Sequence, residues 1–551
     1  MLFRDKLLLM KYRSNLILAI SLFSALSLFS LAPLSGIGQT GGRPRAVTGP
    51  TPVPPTPTPT ATAASAQTIE TLQTKIRQRL FAPEVRRGRV GIKIASLNTG
   101  KVIFESDSEK YFMPASNMKN FTVAAAIEKL TPDFRFVTTV KAPSSPDAAG
   151  TVKGNLTVVG SGDITVSNAF DPAFPQVVNH YWGVDKIAAA IAAAGVKRIE
   201  GDLVADESYF RGYSLPATWE WDDLQSYYGA GISALPFNDN AVDLSVIPGS
   251  AGNQCIIRVS PVNTLIRIVN KCTTAAKGSK RSVVTFKHLD ENVIDVSGTI
   301  AAGDAEYKES VAITRPAELL ITLLKQRLES KGIVVTGNAR LADNTLQTIC
   351  PTCPPPASVI VSRIESPPLS VIAAKTMKPS QNMYTETLLW TLGEQVGRRS
   401  SQSGDSAALG LSVVRAFLKD IGVAPDSVVQ YDGSGLSRHD LITPSAVVAL
   451  YTYMAKQSRF SQVWRDSLTI GGVDGTLRNR FKGTAASGNI RGKTGTIDQV
   501  SALSGYITTA GGEQLVLSIL VNGVPELRNR LSLIDGIVVD LANFDGKADQ
   551  N

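Results

Sequence analysis

Ser116 and Lys119 stand three residues apart at the head of an Ala-rich stretch, Pro114-Ala-Ser-Asn-Met-Lys-Asn-Phe-Thr-Val-Ala-Ala-Ala-Ile. The composition predicts a helix, and Pro114 suits its first turn. On a helix, residues three apart share a face. A hydroxyl beside an amine in a partly desolvated site is a nucleophile beside its base. Burial lowers a lysine pKa and frees the lone pair that takes the serine proton. The start of the helix would also aim the Ser116 N–H at any oxyanion formed there. An isolated S-x-x-K is a weak signal, although this one is the only match in the chain.

Two later stretches strengthen it. Ser380-Gln381-Asn382 supplies S-x-N, which alone says little because Ser96 and Ser487 begin the same pattern. Lys493-Thr494-Gly495 supplies the chain's single K-T-G. It precedes an alternating run at 500–508, so it is expected to open an antiparallel strand. In this order, S-x-x-K, S-x-N and K-T-G are the signature of penicillin-recognising serine acyl transferases and class A β-lactamases. The three histidines, His180, His288 and His439, lie far apart without metal-ligand spacing, so no metal is expected and the lysine-based mechanism gains by elimination.

Elements from both ends of the chain must position these residues. An amphipathic helix is expected from Thr68, then a hairpin through 89–106 turning at Asn98-Thr99-Gly100. Strands at 500–509 and 514–521 and a helix at about 526–544 complete an antiparallel sheet flanked by helices, an α+β fold. Ser116 is more than twice as far from Ser380 as Ser380 is from Lys493. The longer gap has room for inserted domains, expected at 140–355, with a nested subdomain at about 237–312. Such an insertion leaves the host core intact if its two ends lie close together. Strands at 156–160 and 199–206 flank an Ala-rich helix at 184–195.

Composition sets the remaining bounds. The 551 residues are 43% hydrophobic, enough for sizeable cores. Net charge is +9, from 56 basic and 47 acidic residues. No basic block is interleaved with aromatics, so nucleic acid is not an expected partner. Arg4, Lys6, Lys11 and Arg13 precede an uncharged run at 16–32, making 1–38 an export signal, either cleaved or retained as a membrane anchor. A Pro/Thr-rich linker occupies 39–67. An exported chain with Cys255, Cys272, Cys350 and Cys353 is expected to form disulfides, most simply Cys255–Cys272 and Cys350–Cys353.

The chain resembles the class C low-molecular-mass penicillin-binding proteins, the DacB or penicillin-binding protein 4 type of D-alanyl-D-alanine carboxypeptidase/endopeptidase. Besides the three motifs, Gly160-Ser-Gly-Asp, Tyr228-Gly-Ala-Gly-Ile-Ser-Ala-Leu and Asp432-Gly-Ser-Gly-Leu-Ser-Arg-His are similar to family segments in family order. The resemblance implies a penicillin-binding/β-lactamase-like domain at 68–139 and 356–551. It makes Ser116 the nucleophile, Lys119 its base, Ser380 a proton relay, and Asn382 a partner of Lys119 and of the substrate amide. Lys493 and Thr494 would hold the terminal carboxylate, Gly495 would let the substrate pass close, and the N–H groups of Ser116 and Thr496 would face the oxyanion. Asp206 and Arg438 match positions that read the substrate side chain. Asp498 is a departure, since a carboxylate there could repel an acidic substrate end.

These expectations describe an exported serine DD-peptidase, in the periplasm or on the outer face of the cell membrane, without a cofactor. Its partners are peptidoglycan stem peptides and, as covalent inhibitors, β-lactams. The alternatives are a β-lactamase and a catalytically vestigial wall-binding protein.

Overall fold

The computed structural model describes residues 67–343, 357–400 and 403–547. The expected export signal, nearly all of the Pro/Thr-rich stretch and the expected Cys350–Cys353 bond lie outside them. Among the described residues, no helix is long and apolar enough to cross a membrane.

The fold is α+β. One antiparallel sheet draws six strands from both ends of the chain, in the order Thr469–Ile470, Arg491–Ile497, Val500–Thr508, Gln514–Asn522, Arg89–Ser96 and Val102–Ser106. The expected hairpin forms, its turn closed by Ser96 Oγ, which accepts the N–H groups of Asn98 and Thr99. The two longest strands are buried almost throughout because helices cover both faces. Period-two alternation divides their side chains. Leu503, Leu517 and Ile519 pack with Leu72, Ile76, Ile534 and Ile537 of the terminal helices Ile69–Leu80 and Leu527–Ala542. Ala502, Val516 and Leu520 join a core with Met118, Phe121, Leu388, Tyr451 and Trp464.

A region with its own core interrupts this body. Its five-stranded sheet has the order Ala339–Leu341, Leu203–Asp206, Leu156–Val159, Val137–Ala142 and Val359–Glu365. The expected strand at 199–206 is two, Arg198–Glu200 and Leu203–Asp206, broken at Gly201-Asp202. The helices Trp182–Ala193 and Pro316–Ser330 bring Ile187, Ile191, Leu320 and Leu324 against Val140, Val158 and Leu203. The strand at 359–365, beyond the expected junction at 355, pairs antiparallel with the strand at 137–142. The outgoing and returning chain therefore run side by side. Two further three-stranded sheets occupy most of 241–312, where Cys255 and Cys272 form a disulfide.

Candidate active site

Ser116 lies in a 3-10 turn, Ala115–Met118, leading directly into the helix Lys119–Leu130. The expected helix thus begins in the tighter form, in which residues i and i+3 eclipse and bring Ser116 over Lys119. Ala115 precedes Ser116 with φ +47°, a kink that turns the chain into the site. Asn117 fastens the turn to the sheet. Its Nδ2 donates to the Lys493 carbonyl at 2.9 Å, and its Oδ1 accepts from Ser504 Oγ at 2.6 Å.

Lys119 is fully enclosed, and its Nζ has three acceptors: Ser116 Oγ at 2.9 Å, Asn382 Oδ1 at 2.6 Å and the Ser434 carbonyl at 2.8 Å. Burial lowers its pKa to about 7, against the opposing pull of Asp432, Glu386 and Asp440. Near neutrality the amine therefore has an unprotonated population able to take the Ser116 proton.

Lys493 is also enclosed. Its Nζ donates to Ser380 Oγ at 2.8 Å and to the Thr494 carbonyl at 2.8 Å. Burial holds its pKa well below that of an exposed lysine, and the Lys119 charge adds to the effect. Ser380, in a left-handed conformation with φ +67°, sits just before the helix Asn382–Leu392. The three motifs therefore meet. Lys119 joins Ser116 to Asn382, and Lys493 joins Ser380 to the sheet.

Gly495 packs against the turn that carries Ser116. A β-carbon there would stand 2.5 Å from the Pro114 carbonyl and 3.1 Å from the Ser116 N, so the close approach is to the protein's own turn. Thr494 Oγ1 donates to Thr476 Oγ1, whereas Thr496 is exposed and donates its hydroxyl to the Gly495 carbonyl. Asn382 uses its Nδ2 to hold the Tyr228 carbonyl of the inserted region at 2.9 Å.

Arg438 pairs with Glu220 at 3.0 Å and donates to the Asp498 carbonyl at 3.1 Å, so Asp498 meets it through backbone. Asp206 ends its strand as expected, and its Oδ1 accepts the Ser208 N–H of the following turn. Asp223, also in the inserted region, lies within reach of the Arg438 charge. Its carboxyl is pushed up to about 6 by burial and by Asp222 and Glu220, against a hydrogen bond from Tyr228 and the pull of Arg438.

The profile of the D-Ala-D-Ala carboxypeptidase 3 (S13) family matches residues 72–543. The chain belongs to that family. It is 34% identical over 493 residues to a D-alanyl-D-alanine carboxypeptidase of Actinomadura sp. (strain R39), spanning 88% of this chain and 86% of that one. Its fold is similar to penicillin binding protein 4 from Haemophilus influenzae, with a TM-score of 0.70 and 23% identity over 85% of this chain and 98% of that one. The same H. influenzae protein complexed with a novel β-lactam superposes with a TM-score of 0.65, at 22% identity and the same coverage. Family and relative together make the chain a D-alanyl-D-alanine carboxypeptidase.

Behind Lys119 lie groups that the three motifs do not include. Glu386 accepts the N–H groups of Gly433 and Ser434, and Asp432 accepts those of Gly435 and Ser437 and the indole N–H of Trp219. Two carboxylates thereby fold the loop whose Ser434 carbonyl holds Lys119. Burial first, then neighbouring Asp432, pushes Glu386 up, and the same two causes raise Asp440. The available signal was spacing: Glu386 lies four residues after Asn382, on the same face of a buried helix. Asp432 was legible only as part of a similar segment, without a role.

Proposed function

We propose that the chain removes the terminal D-alanine from peptidoglycan stem peptides through an acyl-Ser116 intermediate, and that β-lactams acylate the same oxygen. One observation carries this reading: an enclosed Lys119 amine, with its pKa brought down to about 7, 2.9 Å from Ser116 Oγ. Ser116 Oγ attacks the carbonyl between the two D-alanines as Lys119 takes its proton. The Ser116 and Thr496 N–H groups stabilise the oxyanion. As the C–N bond breaks, Ser380 passes its hydroxyl proton to the leaving amine nitrogen and takes in its place the proton that Lys119 accepted from Ser116. Water then cleaves the ester, and Ser116 recovers its proton. Lys493 and Thr494 receive the terminal carboxylate, whose charge favours the Lys493 cation that burial disfavours. Among the described strands, the one at 469–470 pairs only with Arg491 and Gly492, leaving an edge along which an extended peptide can lie.

The substrate side chain is read by Asp206, which pairs a free amine, and by Arg438, which forks onto a carboxylate in competition with Glu220. The enzyme is exported and acts outside the cytoplasm, where the Cys255–Cys272 bond is stable. Digestion of purified peptidoglycan, with products identified by mass spectrometry, tests the reading. Free D-alanine and stems one residue shorter are expected, and absence of both contradicts it. Asp206→Asn should slow turnover of stem peptides with a free amine and spare their acetylated forms. Equal slowing of both would give Asp206 a folding role instead.

A further inference from the structure

The turn that carries Ser380 is gripped from the inserted region, and we propose that Asp239 is a positioning residue for Ser380, acting through Gln381. Gln381 follows Ser380 directly, and its Nε2 donates to Asp239 Oδ2 at 3.0 Å. The other carboxylate oxygen takes the Tyr384 hydroxyl, one helical turn along, and Ser167 Oγ at 2.9 Å. Three donors converge on one acceptor-only group, which a carboxylate satisfies and no neutral side chain fully does.

Asp239 is held unusually firmly. It is the middle of three successive left-handed residues, Asn238, Asp239 and Asn240, with φ of 41°, 60° and 55°. Residues bearing a β-carbon rarely adopt that region, and three in a row persist only when their surroundings over-determine them. Here the flanking asparagines do so. Asn238 holds the His180 carbonyl and the Asn168 N–H, and Asn240 holds the Gly231 carbonyl and the Phe237 N–H. A rigid turn of the insertion thus presents a carboxylate to a catalytic turn that is itself left-handed at Ser380. Without the Gln381 bond, Ser380 is free to relax away from Lys493 Nζ, now 2.8 Å from its hydroxyl. The insertion then does more than border the cleft: it completes the geometry of the second motif.

This inference rests on the reading of Ser380 as the relay that protonates the leaving amine. The test compares an acyl-D-Ala-D-Ala peptide with a thioester analogue, whose thiolate leaves without a proton. Rates are expressed per site that penicillin can acylate, so loss of folded protein does not enter. Gln381→Met leaves the insertion untouched and should lower kcat/KM on the peptide by ~10-fold or more, but on the thioester by less than about 2-fold. Asp239→Ala should do the same, and the double variant should be no worse than either single one. Asp239→Asn should recover much of the rate, because Gln381 can turn its Oε1, which has no partner, toward the new amide. Equal losses on both substrates, or full activity in Gln381→Met, would overturn the proposal. Ser380→Ala separates the two ideas. If it slows both substrates alike, the relay reading fails and takes the proposal with it. If it slows only the peptide while Gln381→Met does not, the relay stands and the positioning role of Asp239 is wrong.

Discussion

At the scale of single residues, Lys119 is surrounded by three acceptors and enclosed, so its charge is costly, and three buried acids lie close enough to offset part of that cost. With its pKa near 7, acylation by penicillin should rise as pH increases through about 7, and stopped-flow acylation between pH 5.5 and 8.5 would show that limb. A limb displaced to the ordinary lysine range would contradict it. Stability carries the same signature. The folded-state pKa lies below that of the unfolded chain, so between about 7 and about 10.4 the unfolded chain binds more protons, and stability rises with pH across that window. Lys493 acts in the same direction. Lys119→Met should flatten that rise in urea unfolding measured at pH 7 and pH 9, and an unchanged slope would assign it elsewhere.

At the scale of elements, the 3-10 turn and the K-T-G strand touch through Gly495, where any β-carbon meets the Pro114 carbonyl. Gly495→Ala should cost about 1–3 kcal/mol from overpacking against backbone. By displacing the Ser116 turn it should also slow acylation ~10-fold or more. Thermal unfolding and acylation rates check both, and wild-type values for the two would show the contact to be soft. Much of this level was legible beforehand. Alternation marked the hairpin and the two long strands, and an i, i+3 pair placed Ser116 with Lys119. Other features left no local mark. The Tyr228 carbonyl on Asn382 is a backbone group, so no side-chain pattern announces it. Pairing of the strand at 137–142 with that at 359–365 joins segments more than two hundred residues apart. The loop folded by Glu386 and Asp432 depends on N–H groups that every sequence carries. Asp206 and Arg438 were named from resemblance, and only the three-dimensional arrangement shows Glu220 already engaging Arg438.

At the scale of the whole molecule, one body carries the three motifs, while a region with a separate core reaches back to the S-x-N turn through Tyr228 and Asp239 and to Asp432 through Trp219. The Cys255–Cys272 bond lies in that region and closes a span of 17 residues. Replacing both cysteines with serine should lower stability by about 3 kcal/mol. The rate constant for penicillin acylation should stay at its original value, and a large fall would show that the nested sheets help to shape the cleft. The mechanism turns on one covalent bond. The protein incubated with benzylpenicillin at pH 7.5, examined by intact mass and then by peptide mapping, should gain one penicillin per chain, carried by the peptide containing Ser116. Ser116→Ala, folded to the same melting temperature, should gain none. A penicillin adduct on any other residue, or a stable adduct in Ser116→Ala, would contradict the assignment of the nucleophile and the mechanism built on it.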